Sequence, residues 1–249
     1  IRTNYKSNFK ILDVGCGDGT LVNELINAGY DAYGVDIGFK NGESTKRLID
    51  NGRLIKIKGH SDRENMDSDN YEIPFDKEHF DLVISDQTIE HVEDLEKFVS
   101  ESYRVLKTEC DFIAYFPSKH KFREPHVGIP FGGIFQSYYY VRFWCALGFV
   151  FDKYKFVDGY KEVYSYLIFK THYRNENEIR QIFKKSYNDI SYVPKNILKN
   201  IKPSTFLSRF KLLQSLSPCM YHELSIANFL FTVNAFLINS NLFGKLTSS

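Results

Sequence analysis

The first half of the chain alternates short, almost wholly apolar runs with stretches whose apolar residues recur every three to four positions. The runs are "FKILDVG", "DAYGVDI", "RLIKIKG", "HFDLVISD" and "DFIAYFP"; among them lie "TLVNELINAG", "GESTKRLIDNG" and "VEDLEKFVSESYRVLK". In the last stretch Val92, Leu95, Phe98, Val99, Tyr103 and Leu106 follow helical spacing. Apolar runs without polar alternation suit strands buried on both faces, and the β-α-β-α rhythm predicts a parallel sheet with helices on both sides. Thr20 is the expected N-cap of the first helix, which closes on Gly29; the second closes on Asn51-Gly52, where left-handed backbone is cheap.

After Pro117 the alternation fails. Residues 118–148, "SKHKFREPHVGIPFGGIFQSYYYVRFWCALG", read as an inserted loop and helix over the edge of the sheet, and loops this long inside a compact domain are usually functional or mobile. "EVYSYLIFKTHY" reads as a strand or a helix, "NENEIRQIFKKSY" as a helix and "DISYV" as a strand. "STFLSRFKLLQSL" is expected to be helical and "FLFTVNAFLI" to form the last strand. At 249 residues the chain fits one domain. It divides into a core at 9–117, an insertion at 118–172 and a part at 173–249 that completes the sheet.

Composition narrows the class without naming it. The hydrophobic share is 43% and the charged share 25%, as in globular proteins, with 22 Phe and 17 Tyr. Residues 1–149 carry 18 basic and 24 acidic side chains, residues 150–249 carry 14 and 7. The basic second part suits an anionic substrate or peripheral contact with a membrane surface, and equally a solvated lysine-rich exterior. Cys16, Cys110, Cys145 and Cys219 lack zinc-site spacing and suggest no disulfide scaffold, so no metal is expected and a reducing cytoplasm fits. No apolar run reaches the ~18–20 residues of a membrane span. No compact stripe of basic and aromatic residues marks a nucleic-acid surface, so no nucleic acid is expected.

Gly15-Cys16-Gly17-Asp18-Gly19 is the densest chemical signal. It is a GxGxG turn, lacking the third, later glycine of dinucleotide folds and the Gly-Lys-Ser/Thr of a phosphate loop. Asp36 ends the second apolar run, where a carboxylate reaches ribose hydroxyls and repels a 2′-phosphate. The pair points to a nucleoside with a tail other than phosphate.

These residues resemble the class I S-adenosylmethionine-dependent methyltransferases. The likeness runs through "ILDVGCGDGTLVNEL", "AYGVDI", "YEIPFDKEHFDLVISDQTIEHVEDLEKFVSESYRVLK" and "DFIAYFP", in the family's order and spacing. It implies a Rossmann-like α/β fold with a mostly parallel seven-stranded sheet and a lid after the fifth strand. It also implies that Asp13, Gly15, Gly17 and Gly19 line the methionine and ribose of S-adenosylmethionine, that Asp36, with Ile37 beside it, meets the ribose, and that Asp69, with Asn70, contacts adenine. The extra residues "HSDRENMDS" leave Asp62 or Asp67 as alternatives for that acid. Asp86, Gln87 and Ile89 would face the sulfonium and the adenine edge. "REPHVGIPF" and "THYRNENEIRQIFKKS" are similar to segments of methyltransferases of polysaccharide or lipid-linked sugar biosynthesis, implying an oxygen of a small molecule, sugar or lipid-linked glycan as acceptor.

A quinone-precursor methyltransferase and a non-catalytic binder of the cofactor are the competing readings; an NAD-dependent oxidoreductase is disfavoured by the missing glycine. His91 is the first candidate base for a hydroxyl acceptor, against a packing role at the start of a helix. His126 is the second, with His120 and Glu124 in the same insertion. Tyr138, Tyr139, Tyr140, Phe143 and Trp144 are expected to pack a lid onto the body.

Overall fold

The computed structural model of the chain describes residues 9–58, 71–192 and 234–239. Strands β1 (Lys10–Val14), β2 (Asp31–Asp36), β3 (Leu54–Lys56), β4 (Phe80–Asp86) and β5 (Leu106–Phe116) form the parallel sheet that the apolar runs predict. Strands β6 (Asp189–Tyr192) and β7 (Asn234–Asn239) follow, with β7 antiparallel to both β5 and β6. The order is β3-β2-β1-β4-β5-β7-β6. The strand order switches at β1, with β2 and β3 on one side and β4 and β5 on the other, all parallel, and this opens a crevice at the carboxyl ends of these strands, the usual ligand position in open α/β sheets.

Both faces of the sheet are dry, which is why its strands carry so few polar residues. On one face Leu12, Val83, Phe112 and Ala114 pack with Phe98 and Val99 of α3 (Leu95–Val105) and with Ile179 and Phe183 of α6 (Glu176–Lys184). On the other, Ile11, Leu82, Ile84 and Ile113 meet Val22 and Leu25 of α1 (Thr20–Asn27) and Leu48 of α2 (Glu43–Asp50). Alternate residues of one strand therefore serve opposite layers.

The helix ends sharpen the sequence reading. Thr20 does not cap α1 but begins it: Gly19, left-handed at φ 77°, precedes the helix, and Asp18 Oδ1 accepts from the Thr20 N–H at 3.0 Å. Asp94 caps α3 by accepting from the Lys97 N–H, so Val92 lies ahead of that helix and Leu106 already belongs to β5. In "EVYSYLIFKTHY" residues 162–169 are helical, as the end of α5 (Gly159–Phe169), and "KTHY" follows the helix. The expected helix in "STFLSRFKLLQSL" lies outside the described residues.

Residues 118–172 build a small core of their own from Val127, Ile129, Val141, Val150, Val163 and Leu167. It gathers α4 (Tyr138–Ala146), α5 and the loop between Pro125 and Pro130. Tyr140 and Trp144 pack there as expected, but Tyr139 and Phe143 point outward, 80% and 56% exposed, because α4 buries only one narrow face. No helix among the described residues is long and apolar enough to cross a membrane.

Candidate active site

The glycine turn joins β1 to α1 at the crevice. The N–H groups of Gly15 and Cys16 both donate to the Val35 carbonyl, and Gly19 N–H donates back to Cys16, so the turn is tied to β2. Gly15, Gly17 and Gly19 all have left-handed φ, of 84°, 58° and 77°. Their reasons differ. A Cβ on Gly15 would stand 2.2 Å from Thr88 Oγ1, and one on Gly19 would stand 2.6 Å from Leu54 Cδ1, whereas one on Gly17 would meet nothing within 4 Å. Two of the glycines are bare so that the protein can pack on itself; Gly17 alone is bare toward open space.

Asp36 lies beside that space. Its Oδ2 accepts from the Gly17 N–H at 2.8 Å and its Oδ1 from the Gly38 N–H at 3.0 Å, which fixes the carboxylate at the end of β2 with lone pairs to spare. Asp13 is buried at 3% exposure, and its Oδ1 has no hydrogen-bond partner among the described residues. Burial, and then the charges of Asp86 and Asp36, push the Asp13 carboxyl well above the usual range. Three acids thus crowd one crevice, an arrangement that a cationic ligand relieves. An ammonium and a sulfonium on a nucleoside fit it, with the acids for the charges, Asp36 for a diol and bare backbone at Gly17 for close approach.

Beyond β4 the chain takes a turn of 3-10 helix, Ile89–His91, held to the glycine turn by Thr88, whose Oγ1 donates to the Gly15 carbonyl. Glu90 and His91 leave this turn to meet His126 from the insertion; one ligand atom from each lies within 4.8 Å of the other two. Glu90 is 3% exposed, and neither carboxyl oxygen has a hydrogen-bond partner among the described residues; its Oε1 stands 4.0 Å from His126 Nε2. Burial, reinforced by the charges of Asp86 and Glu124 against an opposing backbone bond, raises the Glu90 carboxyl to about 8, so it holds its proton at neutral pH.

The imidazoles of His91 and His126 meet edge to face with centroids 4.8 Å apart. His91 Nδ1 donates to the Lys170 carbonyl at 2.5 Å. Desolvation of this ring, with His126 and His172 nearby, outweighs that carbonyl and lowers its pKa. His126 Nδ1 lies 2.8 Å from Glu124 Oε1. Glu124, wholly buried, also accepts from the N–H groups of His126 and Val127 and from the Tyr173 hydroxyl. Burial alone would raise the Glu124 carboxyl; these donors outweigh it and hold the group below its ordinary range. The two imidazoles, whose Nε2 atoms carry no hydrogen bond among the described residues, can accept a proton from a ligand hydroxyl, and together with Glu90 once ionised they can hold a cation.

The expected residues are thus partly gathered. Asp13, Gly15, Gly17, Gly19, Asp36 and Asp86 share the crevice, with Ile37 exposed at the end of β2. Gln87 is exposed and left-handed at φ 55°, with its N–H on the Tyr115 carbonyl. Ile89 is in the core at 2% exposure. Asp62, Asp67, Asp69 and Asn70 lie outside the described residues. His120 stands apart, lining an open polar cleft with Asn175, Glu176 and Gln181. Sequence reasoning passed over Glu90, Thr88 and Tyr173 as site residues; their spacing from His126 carries no periodic signal, since 47 positions separate His126 from Tyr173.

Comparison with known proteins bears on the fold and the family. The family described as "Methyltransferase domain" matches residues 12–114, the span from β1 to β5. Residues 12–114 are a class I methyltransferase domain. The ubiquinone biosynthesis O-methyltransferase of Pelagibacter ubique is 34% identical to the chain over 110 residues, 43% of this chain and 42% of that protein. The mitochondrial ubiquinone biosynthesis O-methyltransferase of Mus musculus is 35% identical over 107 residues, 41% of this chain and 26% of that protein. The chain therefore spans less than half the length of these relatives. The solved structure of Haemonchus contortus phosphoethanolamine N-methyltransferase 2 in complex with S-adenosyl-L-methionine superposes with a TM-score of 0.50 at 19% identity, covering 95% of this chain and 50% of that one. That likeness speaks for the methyltransferase fold.

Proposed function

We propose that the chain transfers a methyl group from S-adenosylmethionine to a hydroxyl oxygen of a small molecule. The observation that carries the reading is the acid-rimmed crevice over Gly17, with Asp36 pinned by the Gly17 and Gly38 N–H groups and the Oδ1 of buried Asp13 without a hydrogen-bond partner among the described residues. When bound, the cofactor supplies an electrophilic methyl carbon on a positively charged sulfur. Asp36 would hold its ribose, and Asp13 and Asp86 would face its cationic part. The chain's remaining task is to place the acceptor oxygen behind the methyl and keep water away.

The imidazoles of His91 and His126 supply proton acceptors beside this crevice, which favours an oxygen nucleophile that must lose a proton. The names of the Pelagibacter and mouse relatives favour a phenolic quinone precursor over a sugar or lipid-linked glycan. Calorimetric titration tests the cofactor: S-adenosylmethionine and S-adenosylhomocysteine should both bind, and no heat from either would refute the reading. Incubation with a panel of phenols and glycans should release S-adenosylhomocysteine with the phenols. Tight binding without release for any acceptor would make the chain a binding module.

A further inference from the structure

The buried carboxylate of Glu124 has more donors than loop closure needs. Accepting from the N–H groups of His126 and Val127, at 2.7 and 2.5 Å, already closes its own turn. It nevertheless also faces His126 Nδ1 at 2.8 Å and takes the Tyr173 hydroxyl at 2.5 Å, so a side chain from beyond α5 braces it from the far side. An ionised carboxylate only accepts, which places the proton of neutral His126 on Nδ1 and the lone pair on Nε2. That nitrogen points toward the Glu90 carboxyl across 4.0 Å, too long for a direct hydrogen bond and wide enough for one oxygen to touch both.

We propose that His126 Nε2 is the base of the transfer reaction and that Glu124, braced by Tyr173, is its positioning residue. The proposal rests on the reading of the chain as an O-methyltransferase. The acceptor oxygen sits between Glu90 and His126. As that oxygen bonds to the methyl carbon, its O–H bond breaks and the proton goes to His126 Nε2; the carbon–sulfur bond breaks with its electron pair on sulfur. The imidazolium left behind is paired with the Glu124 carboxylate and later gives its proton to water. His91 is the poorer base, because its Nδ1 rests on the neutral carbonyl of Lys170 instead of on a carboxylate. The other groups facing His126 are Glu90 and His91 from the 3-10 turn, Tyr166 from α5 and Tyr173.

The test begins on the cofactor-free chain. Nitrogen-15 shifts of the His126 ring should show the proton on Nδ1 in the wild type and a mixture of tautomers in Glu124→Gln. In turnover assays, Glu124→Gln should lower kcat about 10- to 100-fold, with the KM of the acceptor and the affinity for S-adenosylhomocysteine within a few-fold of wild type. Tyr173→Phe, which keeps the carboxylate, should lower kcat several-fold; it serves where Glu124→Gln does not fold. A wild-type ring protonated on Nε2, or a folded Glu124→Gln chain with wild-type kcat, overturns the proposal and leaves methyl transfer standing. Turnover abolished by a chelator and restored by Mg²⁺ overturns it too, because Glu90, His91 and His126 would then serve a cation. A wild-type chain that binds S-adenosylhomocysteine but methylates nothing overturns the parent reading first.

Discussion

Replacing Gly17 by alanine separates the two reasons for a bare glycine turn. Gly17 has φ 58°, and its added Cβ would meet nothing within 4 Å. The folded chain therefore loses only the cost of a left-handed L-residue, about 1–2 kcal/mol. Gly15→Ala carries the same backbone cost and also drives a methyl to 2.2, 2.3 and 2.8 Å from three atoms of Thr88. Thr88 is short and bonded through Oγ1 toward the carbonyls of Gly15 and Asp86, so it has little room to move. Overpacking of this kind adds about 1–3 kcal/mol, for a sum of roughly 2–5 kcal/mol. Urea unfolding should rank the variants wild type, Gly17→Ala, Gly15→Ala. Calorimetric titration with S-adenosylhomocysteine should show Gly17→Ala folded yet binding at least about tenfold more weakly, a loss of roughly 1.4 kcal/mol. Binding by Gly17→Ala within twofold of wild type would refute the claim that a ligand lies on this backbone. Equal stability of the two variants would refute the packing account of Gly15.

Asp36→Ala removes the acceptor of two backbone N–H groups as well as the ribose carboxylate, and should weaken S-adenosylhomocysteine by about 1–3 kcal/mol; unchanged affinity would refute the ribose assignment. Glu101 accepts from the Ile73 N–H and from Arg104, which itself donates to the carbonyls of Ile73 and Phe75, so Glu101→Ala should cost about 2–3 kcal/mol in thermal unfolding. An unshifted Tm would show that this clamp does not hold the segment entering β4. The folded Glu90 carboxyl titrates at about 8 against an ordinary value of 4.5, so the stability tied to its proton is whole below 4.5 and lost as pH rises through 8. Glu90→Gln, neutral throughout, should therefore gain on the wild type between pH 5 and pH 9, by an amount on the order of several kcal/mol in urea unfolding. Parallel pH profiles for the two chains would contradict the burial of an unpaired Glu90 carboxyl.

Much of the fold was legible because its signals are local. The runs ending in Val14, Asp36 and Asp86 announced buried strands by lacking polar residues, and the structure puts alternate side chains of each into opposite layers. Helix starts were less legible. Thr20 has the chemistry of a cap, but Gly19 already turns the chain and Asp18 takes the cap's bond, so the next residue simply opens the helix. The cofactor side of the site was legible for the same reason as the strands: Gly15 to Gly19 and Asp36 lie at the ends of consecutive elements, where topology alone brings them together. The acceptor side was not. Glu90, Glu124, His126 and Tyr173 come from a turn after β4, the insertion and the segment beyond α5, and no spacing rule relates them.

One electrostatic arrangement links the two sides. Burial is the main cause that raises the Glu90 carboxyl, and the charges of Asp86 in the crevice and Glu124 in the insertion add to it, so the neutral form of Glu90 is favoured between two acids. Neutrality suits its position, because an ionised Glu90 four ångströms from His126 Nε2 would draw a proton onto that nitrogen and remove the lone pair a base needs. An acid that makes the crevice fit a cation, Asp86, therefore also favours the protonated form of Glu90. Replacing Asp86 should thus disturb both ligand affinity and the protonation of Glu90, whereas Asp36, absent from the groups acting on Glu90, should affect affinity alone.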